Sequence, residues 1–305
     1  MRQGGRAGIR IFIWGKGVCF MYDVIIIGSG PAGVSAALYA ARGGLSVLIL
    51  SNGIGELAKA GKIDNYYGAP GISGAEIYET GLAQAKALGV HIVGAEATVL
   101  SGFSPFGVEA GGAKYEGKAV VIATGRPRKK PKLPRADELE GKGVSYCAVC
   151  DGFFFRGRSV GVLGAGPFAL SEAAALAGVA SRVVLLTNGE EPASAPPEGV
   201  LADKRRLAGL SGERALDGVL TEDGGKIPLD GLFIALGTAS GADFAASAGI
   251  LLEDGYIKID RSGATNVPGI FAAGDAAGGF LQMSAAVGEG AAAGHSAAKF
   301  VKGSK

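Results

Sequence analysis

The sequence predicts an α/β protein containing two related Rossmann-like, nucleotide-type folds. Three observations carry this. A glycine-rich run, GSGPAG at residues 28–33, stands between a buried-strand pattern and a helical pattern. A second run, GAGPFA at residues 164–169, stands in the same setting. A cysteine pair, Cys147 and Cys150, lies between them in the run CAVCD. A G-x-G-x-x-G pattern alone is weak. Between a strand and a helix it gains meaning, because the glycines then serve the tight turn, backbone approach to a pyrophosphate and helix packing.

The elements follow in order. Residues 22–27 are rich in β-branched side chains, as expected of a strand buried on both faces. GSGPAG follows, then an Ala/Leu-rich helix over 34–42 and a second buried strand over 45–50. Residues 53–74 are Gly-rich and irregular, and 75–88 read as an amphipathic helix. Short strands are expected over 90–93, 95–101, 107–110 and 113–115, with a buried strand over 119–123 ending in Ala123-Thr124-Gly125. The basic, Pro-rich run 126–135 reads as a linker. After the cysteines come a strand over 159–163, the turn GAGPFA, a helix over 170–177 and a strand over 182–186. Residues 189–197 are a polar, Pro-rich loop, and the stretch to 230 is short and weakly periodic. Strands over 231–237, 257–259 and 270–273 precede a Gly/Ala-rich helix over 284–301.

Composition narrows the function. With 305 residues and 48% apolar content, the chain can fill two domain cores. A net charge of +2 gives no global reason to expect nucleic acid as a partner. No uninterrupted apolar run reaches the roughly 18 residues a membrane helix needs, so no membrane partner is expected. Three cysteines do not make a disulfide-stapled scaffold. Residues 1–20 carry Arg2, Arg6, Arg10 and Lys16 around a short apolar stretch, without the long core or cleavage site of a secretory signal. They are expected to be an extension, either a disordered arm or the product of an upstream start codon. Cys19 within it has no assigned role.

Each constellation has a physical rationale. Gly28 permits the tight turn, Gly30 lets the backbone approach a phosphate, and Gly33 allows close helix packing, with the anion on the helix N-terminus. An acidic residue often holds a ribose at the end of the second strand. Leu50, Ser51 and Asn52 stand there, so Ser51 or Asn52 would supply a neutral hydrogen bond. A C-x-x-C at a helix start lowers one thiol's pKa, and the thiolate attacks a disulfide while its partner resolves the mixed disulfide. Half a zinc site is the rival reading. Cys19, His91 and His295 are the remaining Cys and His ligands and have no metal-like spacing, so no metal is assigned. Asp275, at the end of the strand over 270–273, can bind a polyol hydroxyl of a cofactor or be a simple turn aspartate.

The order GSGPAG, Ala123-Thr124-Gly125, CAVCDGFFFRG, GAGPFA, Ala235-Leu236-Gly237, Gly255-Tyr256-Ile257 and VPGIFAAGD resembles the low-molecular-weight thioredoxin reductases, which are class II pyridine nucleotide-disulfide oxidoreductases. The resemblance runs from Met21 to the C-terminus. It implies two Rossmann-like (three-layer ββα) nucleotide-binding domains, the second inserted in the first. Residues 21–126 and 241–305 would bind FAD. Residues 127–240 would form a shortened pyridine-nucleotide-like domain carrying the C-x-x-C, with linkers near 126–134 and 238–241. In the family this smaller domain rotates to present the dithiol first to the flavin and then to the partner.

The resemblance also implies residue roles. Cys150 would be the flavin-proximal sulfur, Cys147 the sulfur that attacks the thioredoxin disulfide, and Asp151 the acid-base group. Gly28, Ser29, Gly30, Ala32 and Gly33 would hold the FAD pyrophosphate, with Ser51, Ala123, Thr124, Gly125 and Gly274 completing the site. Asn65 and Gln282 would lie by the flavin and Asp275 by its ribityl chain. The segment around Asn65 departs from the family, reading Asn65-Tyr66-Tyr67-Gly68. A cytoplasmic homodimer acting on a thioredoxin-like protein is implied.

The second nucleotide site departs further. Gly164, Gly166 and Ala169 keep the turn, but Thr187-Asn188-Gly189-Glu190-Glu191 replaces the basic cluster that grips the 2′-phosphate of NADPH. Carboxylates there would repel that phosphate. Three donors stay open: NADPH through an altered pocket, NADH with Asn188 or Glu190 on the ribose, or direct reduction of the flavin. The last resembles ferredoxin-linked flavin thioredoxin reductases. The basic run Arg126, Arg128, Lys129, Lys130, Lys132 and Arg135 is either a docking patch for an acidic carrier such as ferredoxin or a solvated hinge. A dithiol oxidase using oxygen and a redox-sensing flavoprotein without turnover are the competing functions.

Overall fold

The computed structural model describes residues 10–14, 17–55, 57, 60–125, 131–146 and 148–303, with only the backbone for 10–19, 149 and 150. The chain divides into two compact units, Met1–Pro127 with Ser240–Lys305, and Arg128–Ala239.

The first unit opens with β1 (Arg10–Trp14) and β2 (Gly17–Ile27), then α1 (Pro31–Arg42), β3 (Val47–Leu50), α2 (Gly74–Ala87), β4 (His91–Val93), β5 (Ala97–Ser101), β6 (Phe106–Ala110) and β7 (Ala113–Ile122). The second unit holds β8 (Val144–Ser145), α3 (Ala148–Asp151), β9 (Ser159–Leu163), α4 (Pro167–Ala177), β10 (Arg182–Leu186), β11 (Val200–Asp203), β12 (Leu207–Ser211), β13 (Gly218–Thr221), β14 (Lys226–Pro228) and β15 (Gly231–Ile234). The chain returns to the first unit with α5 (Gly241–Ala248), β16 (Leu252–Glu253), β17 (Tyr256–Ile257), β18 (Ile270–Ala272) and α6 (Met283–Gly303).

The first unit is built on an eight-stranded sheet ordered β4-β3-β2-β7-β6-β5, with β1 on β2 and β18 on β7. Strands β4, β3, β2, β7 and β18 run parallel, whereas β5, β6 and β7 form an antiparallel meander. Strand β7 pairs with β2 on one edge, and on the other it serves β6 along residues 113–117 and β18 along 120–122. Val24, Ile26, Ile49 and Val121 are fully buried in the core between sheet and helices. Each such side chain contributes about 1.5–3 kcal/mol by leaving water.

Helices α1 and α6 pack unusually close. A Cβ at Gly290 would stand 2.1 Å from the Ala32 carbonyl oxygen, and one at Gly294 would stand 2.2 Å from that of Ala36. The glycines of α6 therefore set the spacing between the two helices. His91 is structural, its Nδ1 hydrogen-bonded to the Tyr22 hydroxyl.

Two expectations change. Ala113–Ile122 form one strand rather than two pieces, because Gly117 is a packing device and not a break: a Cβ there would lie 2.8 Å from Ile25 Cγ1. The extension expected over 1–20 is in strand where it is described. Strand β2 begins at Gly17 and pairs Cys19 and Phe20 with Lys114 and Tyr115, and the Phe20 and Tyr115 rings stack 5.9 Å apart.

The second unit has a five-stranded parallel sheet, β11-β10-β9-β15-β8, and a three-stranded antiparallel sheet, β12-β13-β14. Strands β11–β14 fall in the stretch that reads as weakly periodic. Each has three to five residues, too few for an alternation to stand out from the charged turns between them.

Candidate functional site

In the first unit the predicted cofactor residues gather at the carboxyl ends of β2, β3, β7 and β18. Backbone bonds hold these ends in line: Gly28 N–H donates to Leu50 O (2.8 Å), Ala123 N–H to Ile27 O (2.8 Å) and Ala273 N–H to Ile122 O (3.1 Å). Ligands in open parallel sheets bind at such ends.

The three motif glycines have different reasons. Gly28 has φ +110°, and a Cβ there would lie 2.2 Å from Ala123 O. A Cβ at Gly33 would lie 2.0 Å from Gly28 O. Gly30 has an ordinary φ of −65° and a Cβ there would meet nothing within 4 Å. The fold does not require glycine at that position, so the requirement points outward, to whatever rests on the start of α1. Pro31 occupies the first helical position, where its missing N–H is not needed. Beside this turn, just past β7, Thr124 has its backbone N 3.3 Å from where a Gly28 Cβ would stand, and its Oγ1 is buried without a hydrogen-bond partner. An open glycine cradle on a helix N-terminus and an unsatisfied buried hydroxyl fit a dinucleotide such as FAD.

Ser51, expected from the sequence as a neutral hydrogen-bonding partner, is already engaged within the fold. Its hydroxyl is hydrogen-bonded to that of Ser29, and Ser29 Oγ also lies 3.0 Å from the Tyr78 hydroxyl on α2. Asn52 Nδ2 donates to the buried Glu96 Oε2 at 3.3 Å. Tyr78 and Glu96 escape a reading by motif because they come from elements outside the βαβ unit.

The other edge of the site is the loop 274–282. Gly274 has φ +69° and abuts Ala32, a Cβ there standing 2.8 Å from the Ala32 methyl. This brings the glycine turn and the Gly274-Asp275 corner together. Asn65 Nδ2 donates to Gln282 Oε1 at 3.4 Å, so these two predicted flavin neighbours also meet. A residue outside every motif closes the loop from within: Gly274 N–H donates to Glu289 Oε2 at 2.8 Å. Burial pushes the half-buried Glu289 carboxyl above its usual range. The Gly274 N–H opposes this and the Asp275 charge adds to it. The one sequence signal for Glu289 is an isolated acid in a Gly/Ala-rich helix.

In the second unit, Cys147 lies outside the described residues, and Cys150 is described only by its backbone in α3. Their surroundings are defined. Asp151 Oδ2 accepts from Ser145 Oγ at 2.6 Å, and Glu172 Oε2 on α4 accepts from Ala148 N–H at 2.8 Å. Beyond them Phe153 and Phe154 are exposed, with the Arg156 guanidinium 4.9 Å from the Phe153 ring centre.

The second glycine turn repeats the first. Gly164 N–H donates to Leu186 O (3.0 Å) and Ala235 N–H to Leu163 O (2.8 Å), and a Cβ at Gly164 would stand 2.2 Å from Ala235 O. Gly166 caps α4 as Gly30 caps α1, and Ala169 is buried at the third motif position. The region after β10 is committed elsewhere. Asn188, read as a ribose ligand, has φ 52°, and its Oδ1 accepts from Leu207 N–H at 2.8 Å, anchoring β12. Arg205 forks onto Asp203 (2.6 Å) and Lys204 pairs with Glu191 (2.5 Å). Arg206 lies against Gly189, its Cγ 3.4 Å from where a Cβ would be. The loop itself folds back onto the turn, Ala193 N–H donating to Ala165 O at 2.8 Å. Arg126, Arg128, Lys129 and Lys130 of the basic run lie outside the described residues.

No helix among the described residues is long and apolar enough to cross a membrane. Residues 22–290 match the family described as "Pyridine nucleotide-disulphide oxidoreductase". The thioredoxin reductase of Listeria innocua is 34% identical over 305 residues, covering 92% of this chain and 94% of that protein. Among solved structures, the atypical thioredoxin reductase TRi of Desulfovibrio vulgaris Hildenborough superposes with a TM-score of 0.86 at 39% identity, covering 92% of this chain and 98% of that one. A ferredoxin-flavin thioredoxin reductase of Clostridium acetobutylicum superposes with a TM-score of 0.70 at 31% identity, covering 92% and 97%.

Proposed function

Because this chain belongs to the thioredoxin reductases, FAD-dependent members of the pyridine nucleotide-disulphide oxidoreductases, we propose that Cys147 and Cys150 are its redox pair and a thioredoxin-like protein its substrate. The observation that carries the flavin half is Gly30, a glycine whose absent side chain leaves open space on the turn into α1. Residues 21–126 and 241–305 form the FAD-binding domain, and 127–240 carry the dithiol.

When bound, FAD supplies a two-electron reservoir. The Gly28–Gly33 turn, with Ser29 and Ala32 beside it, would hold its pyrophosphate, and Asp275 would bind its ribityl chain. Thr124 Oγ1, Asn65 and Gln282 complete the polar surroundings. Two electrons and two protons would open the Cys147–Cys150 disulfide to a dithiol, with Asp151, oriented by Ser145, passing protons to and from the sulfurs. Cys147 then attacks the partner's disulfide as a thiolate, forming a mixed disulfide and releasing the partner's other sulfur. Cys150 attacks Cys147 in turn, releasing the reduced partner and restoring the Cys147–Cys150 bond. A homodimer in the cytoplasm is the expected setting.

For the donor we favour direct reduction of the flavin by a carrier such as ferredoxin over NADPH or NADH. Support comes from the committed side chains after β10: Asn188 on Leu207, Arg205 on Asp203 and Lys204 on Glu191. The likeness to a protein described as a ferredoxin-flavin thioredoxin reductase points the same way.

Two measurements test these readings. In Cys147→Ser, FAD stays bound and thioredoxin reduction stops; undiminished turnover refutes the assignment. In anaerobic stopped-flow, reduced ferredoxin bleaches the flavin while NADPH and NADH do so slowly or not at all. Rapid bleaching by micromolar NADPH removes the donor assignment.

A further inference from the structure

Glu289 has no place in any cofactor motif, yet it sits inside the loop that carries two of the proposed flavin residues. Its Oε2 takes the Gly274 N–H at 2.8 Å, and its Oε1 faces Gly279, 4.0 Å from where a Cβ would be. One carboxylate thus spans the loop from its first glycine to the residues just before Gln282. The helix that delivers it is fixed, since Gly290 and Gly294 seat α6 on the Ala32 and Ala36 carbonyls of α1. Gly274 has left-handed backbone and abuts Ala32 in the phosphate turn. The chain of contacts runs from the phosphate turn through α1 and α6 to Glu289, and from there to the corner that bears Asp275.

We infer that Glu289 is a positioning residue for FAD: it braces the loop 274–282 so that Asp275 and Gln282 are preorganised for the ribityl chain and the ring. This rests on the FAD-binding reading above.

The energetics of the group agree. Burial and the neighbouring Asp275 both disfavour its charged form, and a single backbone N–H compensates only in part. A carboxylate that is costly where it stands, in a stretch of helix flanked by Gly288 and Gly290, is not explained by the stability of the fold. Bracing of a binding loop explains it, because preorganisation appears as ligand affinity and not as stability of the empty protein.

The test uses apoprotein and added FAD, followed by quenching of flavin fluorescence and by visible circular dichroism of the bound flavin, with thermal melts of each apoprotein. Glu289→Ala loses the acceptor for Gly274 and is expected to weaken FAD binding about tenfold, the size of one lost hydrogen bond, with a changed flavin dichroism. Its apoprotein melts at or above the wild-type temperature. Glu289→Gln keeps a carbonyl acceptor at the same place and restores affinity to within about threefold of wild type. Wild-type FAD affinity in Glu289→Ala overturns the inference. So does a lowered apoprotein melting temperature that Glu289→Gln corrects, since the residue is then a fold stabiliser. Failure of the wild-type protein to bind FAD at all refutes the flavin reading itself and is distinguishable from both.

Discussion

Gly28 and Gly30 are two residues apart and are glycine for opposite reasons. At Gly28 a methyl group would strike the Ala123 carbonyl at 2.2 Å, whereas at Gly30 it would strike nothing belonging to the chain. Gly28→Ala is therefore expected to cost more than about 2 kcal/mol and to yield little folded protein. Gly30→Ala is expected to melt within a few degrees of wild type and to lose FAD affinity by at least about tenfold. Thermal melts of the two apoproteins with FAD titration separate the cases, and equal behaviour of the two variants contradicts the argument.

A second residue-scale prediction concerns Asp23. Burial is the largest single influence on its carboxyl and pushes the pKa up. Hydrogen bonds from Lys118 and Ser46 together outweigh it, so the group sits below its ordinary 3.8. A depressed carboxyl contributes stability above the unfolded-state value and loses it as pH falls through the folded one. Lys118 is 42% exposed at a 2.6 Å contact, so after screening Asp23→Asn is expected to cost only about 1 kcal/mol at pH 7. The melting temperature of the variant should fall less steeply than wild type below pH 4. Parallel acid profiles would mean the carboxylate is not the group being titrated.

Among the elements, the α1–α6 pair governs the site most directly. Gly294→Ala places a methyl 2.2 Å from the Ala36 carbonyl. It is expected to push α6 outward, to cost about 1–3 kcal/mol of stability, and to weaken FAD binding because Glu289 and the loop 274–282 move with the helix. Unchanged melting and affinity would show that the helix contact is slack. This pair also marks the limit of what the sequence makes legible. The strand–turn–helix units around Gly28 and Gly164 can be read because local chemistry dictates them: β-branched runs, glycine turns and proline at the first helical position. The Gly/Ala-rich helix over 284–301 is readable as a helix, but which glycine meets which carbonyl is a tertiary fact. Glu289, Tyr78 and Glu96 enter the site through such contacts. Gly117 misleads for the same reason, since its effect on strand continuity depends on Ile25 in the neighbouring strand. Strands β11–β14 are too short for their periodicity to outweigh their turns.

For the whole molecule, the two units carry the same turn with different outcomes. In the first, the glycine cradle is left open at Gly30, where the proposed FAD would rest. In the second, side chains after β10 and the loop 189–197 are bonded to the unit's own backbone and charges. The donor measurements above belong at this scale, because they ask whether the second unit still handles a nucleotide or serves as the carrier of a dithiol.

The Ala193–Ala165 hydrogen bond has a practical corollary for anyone seeking to re-engineer coenzyme use. Replacing Glu190 and Glu191 by arginine would supply positive charge, yet the 189–197 loop would remain tied to the GAGPFA turn through Ala193 N–H and Ala165 O. Such double variants are expected to stay inert toward NADPH in flavin-bleaching assays. Shortening the 189–197 segment in the same gene is the change expected to release that turn and to restore a response to NADPH.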